Sequence, residues 1–427
     1  MADEAGVEGS GARGAPRIMT ANRAQLQLRP QDLESLLPAD HRARALWMVV
    51  DRLDLSRFYA AIQARGSDPG RPAIDPKVLV ALWLYATSEG VGSARELARL
   101  CERHDAYRWL CGGVRVNHHT LSDFRVEYGA ALDALLTQVL GVMLHQGLVR
   151  LERVTQDGMR VRASAGAASF RREATLRRCV EAAREQVAAV KEAGERPADP
   201  RTARQQAAAA RAAREREKRV TRALAELPAA RDAKREDAAK AKARVSMTDP
   251  DARVMKMADG GYRPAYNVQL ATAVEGRVIV GVQVTNAGTD LAQLTPMRAA
   301  VEQRTGQQPR EYLVDGGFVQ LESIAAAAAD GVTVYAPVRK PPRADIDPHV
   351  AKPTDAPAVA AWRVRMGTED AKTIYKDRAA VAETVNADLR AHRGLNRLPV
   401  RGLAKVQCIA VWAALTYNVL RWLALTA

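Results

Sequence analysis

Three acidic residues in this 427-residue chain sit where a carboxylate can do chemistry rather than merely solvate a surface. Asp157 lies inside the alternating run VTQDGMRV, and Asp315 closes the apolar run of YLVDGGF; each is followed directly by glycine. A carboxylate in or at the edge of a buried strand is costly unless it is paired or bound to a metal. Adjacent glycines let the backbone approach a ligand closely. Two such aspartates on separate strands of one sheet can converge on a hard cation such as Mg²⁺. Asp-Gly is also a common turn pair, so neither aspartate carries the reading alone. The third acid comes from TIYKDRAAVAETVNADLR, where Tyr375, Arg378, Glu383 and Arg390 recur with helical spacing. Glu383 and Arg390 are seven residues apart, two turns along one face, so an acid and a base can address one site. Asp377 and Asp388 share the helix and read as solvated face charge. Glu383 is preferred for its spacing to Arg390 and its longer reach toward a sheet.

The elements that must position these groups follow from the pattern. Residues 1–20 are Gly/Ala-rich and read as a disordered tail. From about Leu26 to Leu148 the apolar spacing is helical throughout. Pro76 opens one helix, Gly90 and Gly92 end it, and Ser93 with Glu96 forms a capping-box pattern. After the Gly112–Gly113 break a third helix begins, flanked by His118 and His119, and its start (Asn117, Thr120, Ser122, Arg125) suits a recognition helix for DNA. VTQDGMRVRASAG then reads as a strand. YNVQLATAVEG and RVIVGVQVT read as a hairpin, EYLVDGGF and VTVYAPV as further strands, and DLAQLTPMRAAVEQRTG and LESIAAAAADG as helices between them. A polar, Pro-rich loop is expected over 339–360, then a helix over about 368–392. The apolar stretch Val406–Ala427 is interrupted by Gln407, Asn418 and Arg421, which reads as a buried helix rather than a membrane span. This order implies an α/β layer fold.

Between Phe170 and Val245 the chain is nearly all Ala, Arg, Glu, Lys and Gln, with 21 basic against 12 acidic residues. That predicts a helical hairpin inserted into the second domain, either a solvated arm or a DNA contact. The whole chain carries a net charge of +15, which attracts polyanions, nucleic acid foremost. Four cysteines cannot build a disulfide framework at this length, and they indicate a reducing cytosol. The N-terminus lacks the apolar core of a signal peptide, so a cytoplasmic protein is expected. Cys101, His104, Cys111, His118 and His119 cluster, but their spacing is not a common zinc pattern. Asp290, after Thr289, reads as a helix cap, and Asp259 in MADGGY as turn chemistry. No Gly-rich nucleotide loop is present to support ATP dependence.

The late helix resembles the Tyr-x-x-Arg…Glu-x6-Lys/Arg signature of bacterial insertion-sequence transposases of the DDE class. Asp157 and Asp315 fall where that family's first two catalytic aspartates fall. DPDARVMKMADGGYRPAYNVQLA, NAGTDLAQLTPM and the block GRPAIDPKVLVALWLY…SARELARLCERHDAYRWLCGG…NHHTLSDFR resemble further segments of it, and the likeness spans about 70–420. One departure stands out: four residues, not three, separate Arg378 from Glu383. The resemblance implies a helical DNA-binding domain over 21–148. It further implies an RNase H-like mixed sheet flanked by helices over 149–427, interrupted by the basic helical insertion 170–248. Asp157, Asp315 and Glu383 would hold two Mg²⁺ (or Mn²⁺) ions for phosphodiester cleavage and strand transfer. Tyr375, Arg378 and Arg390 would contact phosphates of double-stranded transposon ends, with His119, Thr120 and Arg125 on the recognition helix. The family implies a homodimer or higher assembly on end and target DNA. Two other classes remain open: a catalytically inactive DNA-binding derivative, and a metal-dependent nuclease on the same fold.

Overall fold

The computed structural model describes residues 32–64, 72–194, 200–234, 236–341 and 345–426; the expected tail, 1–20, lies outside them. The first part of the chain is helical as the periodicity predicts. It comprises α1 (Arg42–Asp51), α2 (Ser56–Ala60), α3 (Pro76–Ser88), α4 (Ala94–Arg103), α5 (Asp105–Cys111), α6 (His118–Glu127) and α7 (Gly129–His145). Side-chain caps set five of the starts, those of α1 and α5 through His41 and His104. Asp75 accepts from the Lys77 amide ahead of Pro76, Ser93 from Glu96, and Asn117 from Thr120. α3 is apolar on every side and is accordingly buried along its whole length.

The sheet begins with β1 (Arg153–Arg162), which lies between an antiparallel neighbour, β5 (Tyr262–Ala273), and a parallel one, β7 (Glu311–Leu313). β8 (Thr333–Tyr335) runs parallel beyond β7. On the far side of β5 its edge is shared by β6 (Ile279–Thr285) and β4 (Arg253–Lys256), both antiparallel. β5 is buried from Pro264 to Ala273, as an inner strand covered on both faces must be. α12 (Leu294–Thr305) and α13 (Leu321–Ala329) connect the strands, and α14 (Pro357–Arg365) and α15 (Glu369–His392) follow. Two elements depart from expectation. β4 was not foreseen, and α14 occupies the end of the expected 339–360 loop, where Val359 and Trp362 pack into the core.

The basic insertion is a helical hairpin, α8 (Glu173–Gly194) against α9 (Pro200–Ala225), with α10 (Leu227–Asp232) and α11 (Asp237–Ala241) at its return. A two-stranded clasp closes its base, β2 (Phe170–Arg171) pairing with β3 (Val245–Ser246). The arm has its own small core, with Leu176, Ala223, Leu227 and Val245 buried together.

α16 (Leu403–Thr426) joins the two halves. It packs against α3, α6 and α7 on one side and β6 on the other, within one hydrophobic cluster that runs from Leu37 to Val419. It is long and apolar enough to cross a membrane, yet most of it is buried in this core. Its polar interruptions have a physical reason: they satisfy backbone that would otherwise be orphaned. Asn418 accepts from the Ile279 amide (2.9 Å) and donates to its carbonyl (2.7 Å). Gln407 bonds both Val284 N and Val282 O, and Arg421 donates to Gly276 O.

Candidate active site

β1 and β7 are in register at Thr155 and Leu313, so Asp157 and Asp315 each lie two residues beyond one aligned pair. Two carboxylates therefore emerge side by side, Asp157 from the middle of β1 and Asp315 just past the carboxyl end of its parallel neighbour β7. Asp315 accepts from the Gly317 amide (2.7 Å), which fixes the short turn Gly316–Phe318. α15 crosses above. Arg378 Nη2 lies 3.0 Å from Asp157 Oδ1 and 3.5 Å from Asp315 Oδ2, and so bridges both acids. Asn386, two turns on, donates to the other Asp157 oxygen (2.8 Å), and Tyr375 donates to Val314 O (3.1 Å). These three residues share one stripe of the helix, and their bonds hold it against the acid-bearing strands.

Burial pushes the Asp157 carboxyl above its ordinary pKa; Arg378 opposes that shift, and the charges of Asp315 and Asp290 add to it. Burial likewise raises the Tyr375 phenol. A further carboxylate, Asp290, lies near the two acids: a Cβ on Gly317 would be 3.0 Å from Asp315 Oδ1 and 3.9 Å from Asp290 Oδ2. Asp290 is not a helix cap, because α12 starts only at Leu294 with no side-chain cap. Its buried carboxylate accepts from Asn267 (2.7 Å) and Gln269 (2.6 Å) and pairs with Arg160 (2.7 Å). Gly158 makes room for it: a Cβ there would collide with Asp290 Oδ1 and come within 2.5 Å of Gln269 Nε2.

The remaining expected residues divide. The Glu383 side chain is exposed and has no hydrogen bond or ion pair among the described residues, so the structure joins two of the three acids and leaves the third outside their contacts. It precedes Asn386 by three residues, about 60° around the helix axis. Among the described residues no group of three or more metal-ligating side chains stands close enough to hold an ion. Arg390 is exposed. His119 is exposed on α6, and Thr120 is half-buried with its amide capped by Asn117. Arg125 departs from its expected place on the DNA-facing surface. It is buried, its guanidinium stacks 4.4 Å over Trp83 and donates to Gly92 O, and burial lowers its pKa to about 10. Asp377 and Asp388 are not free surface charge either. Asp377 pairs with Arg153, and Asp388 with Arg393 at 3.0 Å. Asn386 was missed because an amide carries no charge signal; its place two turns after Arg378 was the available clue.

The donor set suits a hard divalent ion: two adjacent carboxylates, hard oxygen ligands, already converge on one positive group, the Arg378 guanidinium. A comparison with curated proteins and with solved structures finds no match. Two family models do match. Residues 31–127 match the Transposase domain (DUF772), which covers α1 to α6, and residues 349–423 match the Transposase DDE domain, which covers α14, α15 and most of α16. The two matches lie at either end of one continuous core, with the acid-bearing strands between them, and they support an insertion-sequence DDE-type transposase.

Proposed function

We propose that this protein binds the terminal inverted repeats of its own element and cuts and joins DNA strands there by metal-assisted phosphodiester chemistry. The observation that carries the reading is the meeting of Asp157 and Asp315 on one cation beneath a helix of the DDE match. In this reading the sheet is an RNase H-like core. Three antiparallel strands (β6, β5, β1) continue into two parallel ones (β7, β8), with an acid within β1 and another just past the end of β7, and that arrangement supports it. Asp157 and Asp315 would hold the ions, with Glu383 on α15 as the third carboxylate. When bound, the ions activate the attacking oxygen and stabilise the leaving one.

The chain's own residues do the rest. Arg378 exchanges its carboxylates for a backbone phosphate, and Arg390 takes another farther along the helix. Asn386 and Tyr375 hold α15 at its working height over the strands. His119 and Thr120 face the DNA end at the start of α6, and two copies bring two ends together.

The test uses full-length protein, Mg²⁺ or Mn²⁺, and labelled duplexes carrying the element's ends. End-specific nicking followed by joining supports transposition. Structure-specific cutting without joining makes it a nuclease, and binding without cutting makes it an inactive derivative. Asp157→Asn and Asp315→Asn abolish cleavage while DNA binding persists; loss of binding in both overturns the assignment.

A further inference from the structure

The turn between α15 and α16 is held unusually firmly for an exposed connection. Leu395 and Leu398 are buried, the Leu398 amide donates to Arg162 O (2.9 Å) on β1, and Arg393 donates to Ser88 O at the end of α3. Between the two leucine anchors, Asn396 and Arg397 are exposed. This turn is the common wall of two clefts. One, of about 590 Å³, lies between it and the starts of α4 and α6, with Arg95, His118, His119 and Ser122 on its far side. The other, about 160 Å³, runs from Asn396 past Arg390 to Arg160 and Arg162.

Charge sets these clefts apart from an ordinary surface. Arg95, Arg397, Arg390 and Arg162 are all exposed, and none has an ion pair among the described residues. The acid that lines the second cleft, Asp259, is neutralised by Arg263 at 2.7 Å, and Asp388 below the turn by Arg393. Four unpaired guanidiniums along one path repel one another unless a polyanion lies across them. The path also has direction. Arg390 lies one turn past Asn386, which touches Asp157, and Arg378 is twelve residues back. Twelve helical residues span about 18 Å, roughly five base steps of duplex DNA.

We propose that Arg95, Arg397 and Arg162, with the Asn396 amide, form a phosphate track that carries one DNA strand's backbone from the α6 helix to the Asp157–Asp315 site. It rests on the function proposed above and assigns residues that reading does not use. The arginines contact phosphate and not base edges, so they position DNA without reading its sequence. The rigid turn sets the spacing between end recognition and the scissile bond.

The experiment measures binding of full-length protein to an end-bearing duplex and to a scrambled duplex of equal length across a salt series. Arg95→Gln, Arg162→Gln, Arg397→Gln and the triple variant are compared with wild type, with thermal melts to check folding. Each single change weakens both duplexes equally and lowers the slope of log K against log salt by about 1, and the triple by about 3. An unchanged slope and affinity in the triple variant, while wild type binds and cuts end DNA, overturns the track and leaves the function standing. A loss confined to the end-bearing duplex also overturns it, since the residues would then be reading bases. Failure of wild type to bind either duplex removes the track and the proposed function together.

Discussion

Arg378 and Asp157 form an ion pair at 3.0 Å with only 16% and 19% of their side chains exposed, and the same Nη2 reaches Asp315 at 3.5 Å. One guanidinium thus bridges two carboxylates that would otherwise repel each other across neighbouring strands, and offsets half of their combined charge. Removing it leaves both acids uncompensated and opens the space between them to another cation. Arg378→Gln is therefore expected to bind Mn²⁺ about tenfold more tightly, a gain of about 1.4 kcal/mol. Titration calorimetry without DNA reads it directly. DNA-end cleavage falls in the same variant, because the phosphate contact is lost. Weaker Mn²⁺ binding would instead make Arg378 the group that holds the two acids in place.

Glu383 separates fold from chemistry more cleanly. Its side chain is exposed and bonds to nothing among the described residues, so Glu383→Gln leaves the melting temperature unchanged, within about 0.5 kcal/mol of stability. Strand cleavage nevertheless drops by about 100-fold or more if it supplies the third carboxylate. Asp377→Asn makes the contrast, because that acid pairs with Arg153, which also binds Glu311 at 2.5 Å. It lowers stability and affects cleavage only through that loss. Equal cleavage by Glu383→Gln and wild type would remove Glu383 from the site.

How much of this was legible depends on how local the cause is. β1, β5, β6, β7 and β8 carry their strand signal in their own β-branched runs, and Asp157 and Asp315 stand out because acids are costly in such runs. Gln407, Asn418 and Arg421 could be read as barring a membrane span, though not as the partners of backbone in β6 and the turn before it, since those bonds cross more than 120 residues of chain. The errors are non-local in the same way. Arg125 looks like an exposed basic residue on a recognition helix until Trp83, 42 positions earlier, supplies a ring to stack on. Asp290 follows a threonine as a cap would, but its partners Asn267 and Gln269 lie on β5. β4 is a four-residue edge strand with Val254 exposed, too short and too polar to announce itself. α14 did carry a signal in Pro357 at its first position, hidden by the prolines before it.

Gly158 is the position where the backbone itself is constrained by the site. Its missing side chain leaves the space that Asp290, Gln269 and Asn267 occupy. Gly158→Ala forces those three apart or shifts β1, which carries Asp157 one residue earlier. Overpacking of this kind costs about 1–3 kcal/mol. A lowered melting temperature is expected together with a loss of cleavage larger than the lost stability explains. An alanine variant with full activity would show that β1 can move without disturbing Asp157.

Asp249 gives the chain a pH dependence away from the active site. It is fully buried, accepts from Tyr266 Oη (2.7 Å) and the Gly402 amide (3.1 Å) through one oxygen, and leaves the other unbonded. Burial raises its pKa above the ordinary value, with neighbouring Asp251 adding to the shift and the two hydrogen bonds opposing it. An acid whose folded-state pKa is raised binds its proton more tightly when folded. It stabilises the fold at low pH, and that contribution is lost as pH rises from the ordinary carboxylate value through the raised one. Asp249→Asn keeps an oxygen for both donors and removes the buried charge. Its melting temperature is expected to exceed wild type at pH 7.5, with the gap closing toward pH 4. Arg222, which pairs with Asp251 at 2.7 Å, is unaltered by the change and cannot account for the difference. A gap that stays constant across the series would mean that Asp249 remains charged in the fold, and that its unbonded oxygen is solvated or paired in solution.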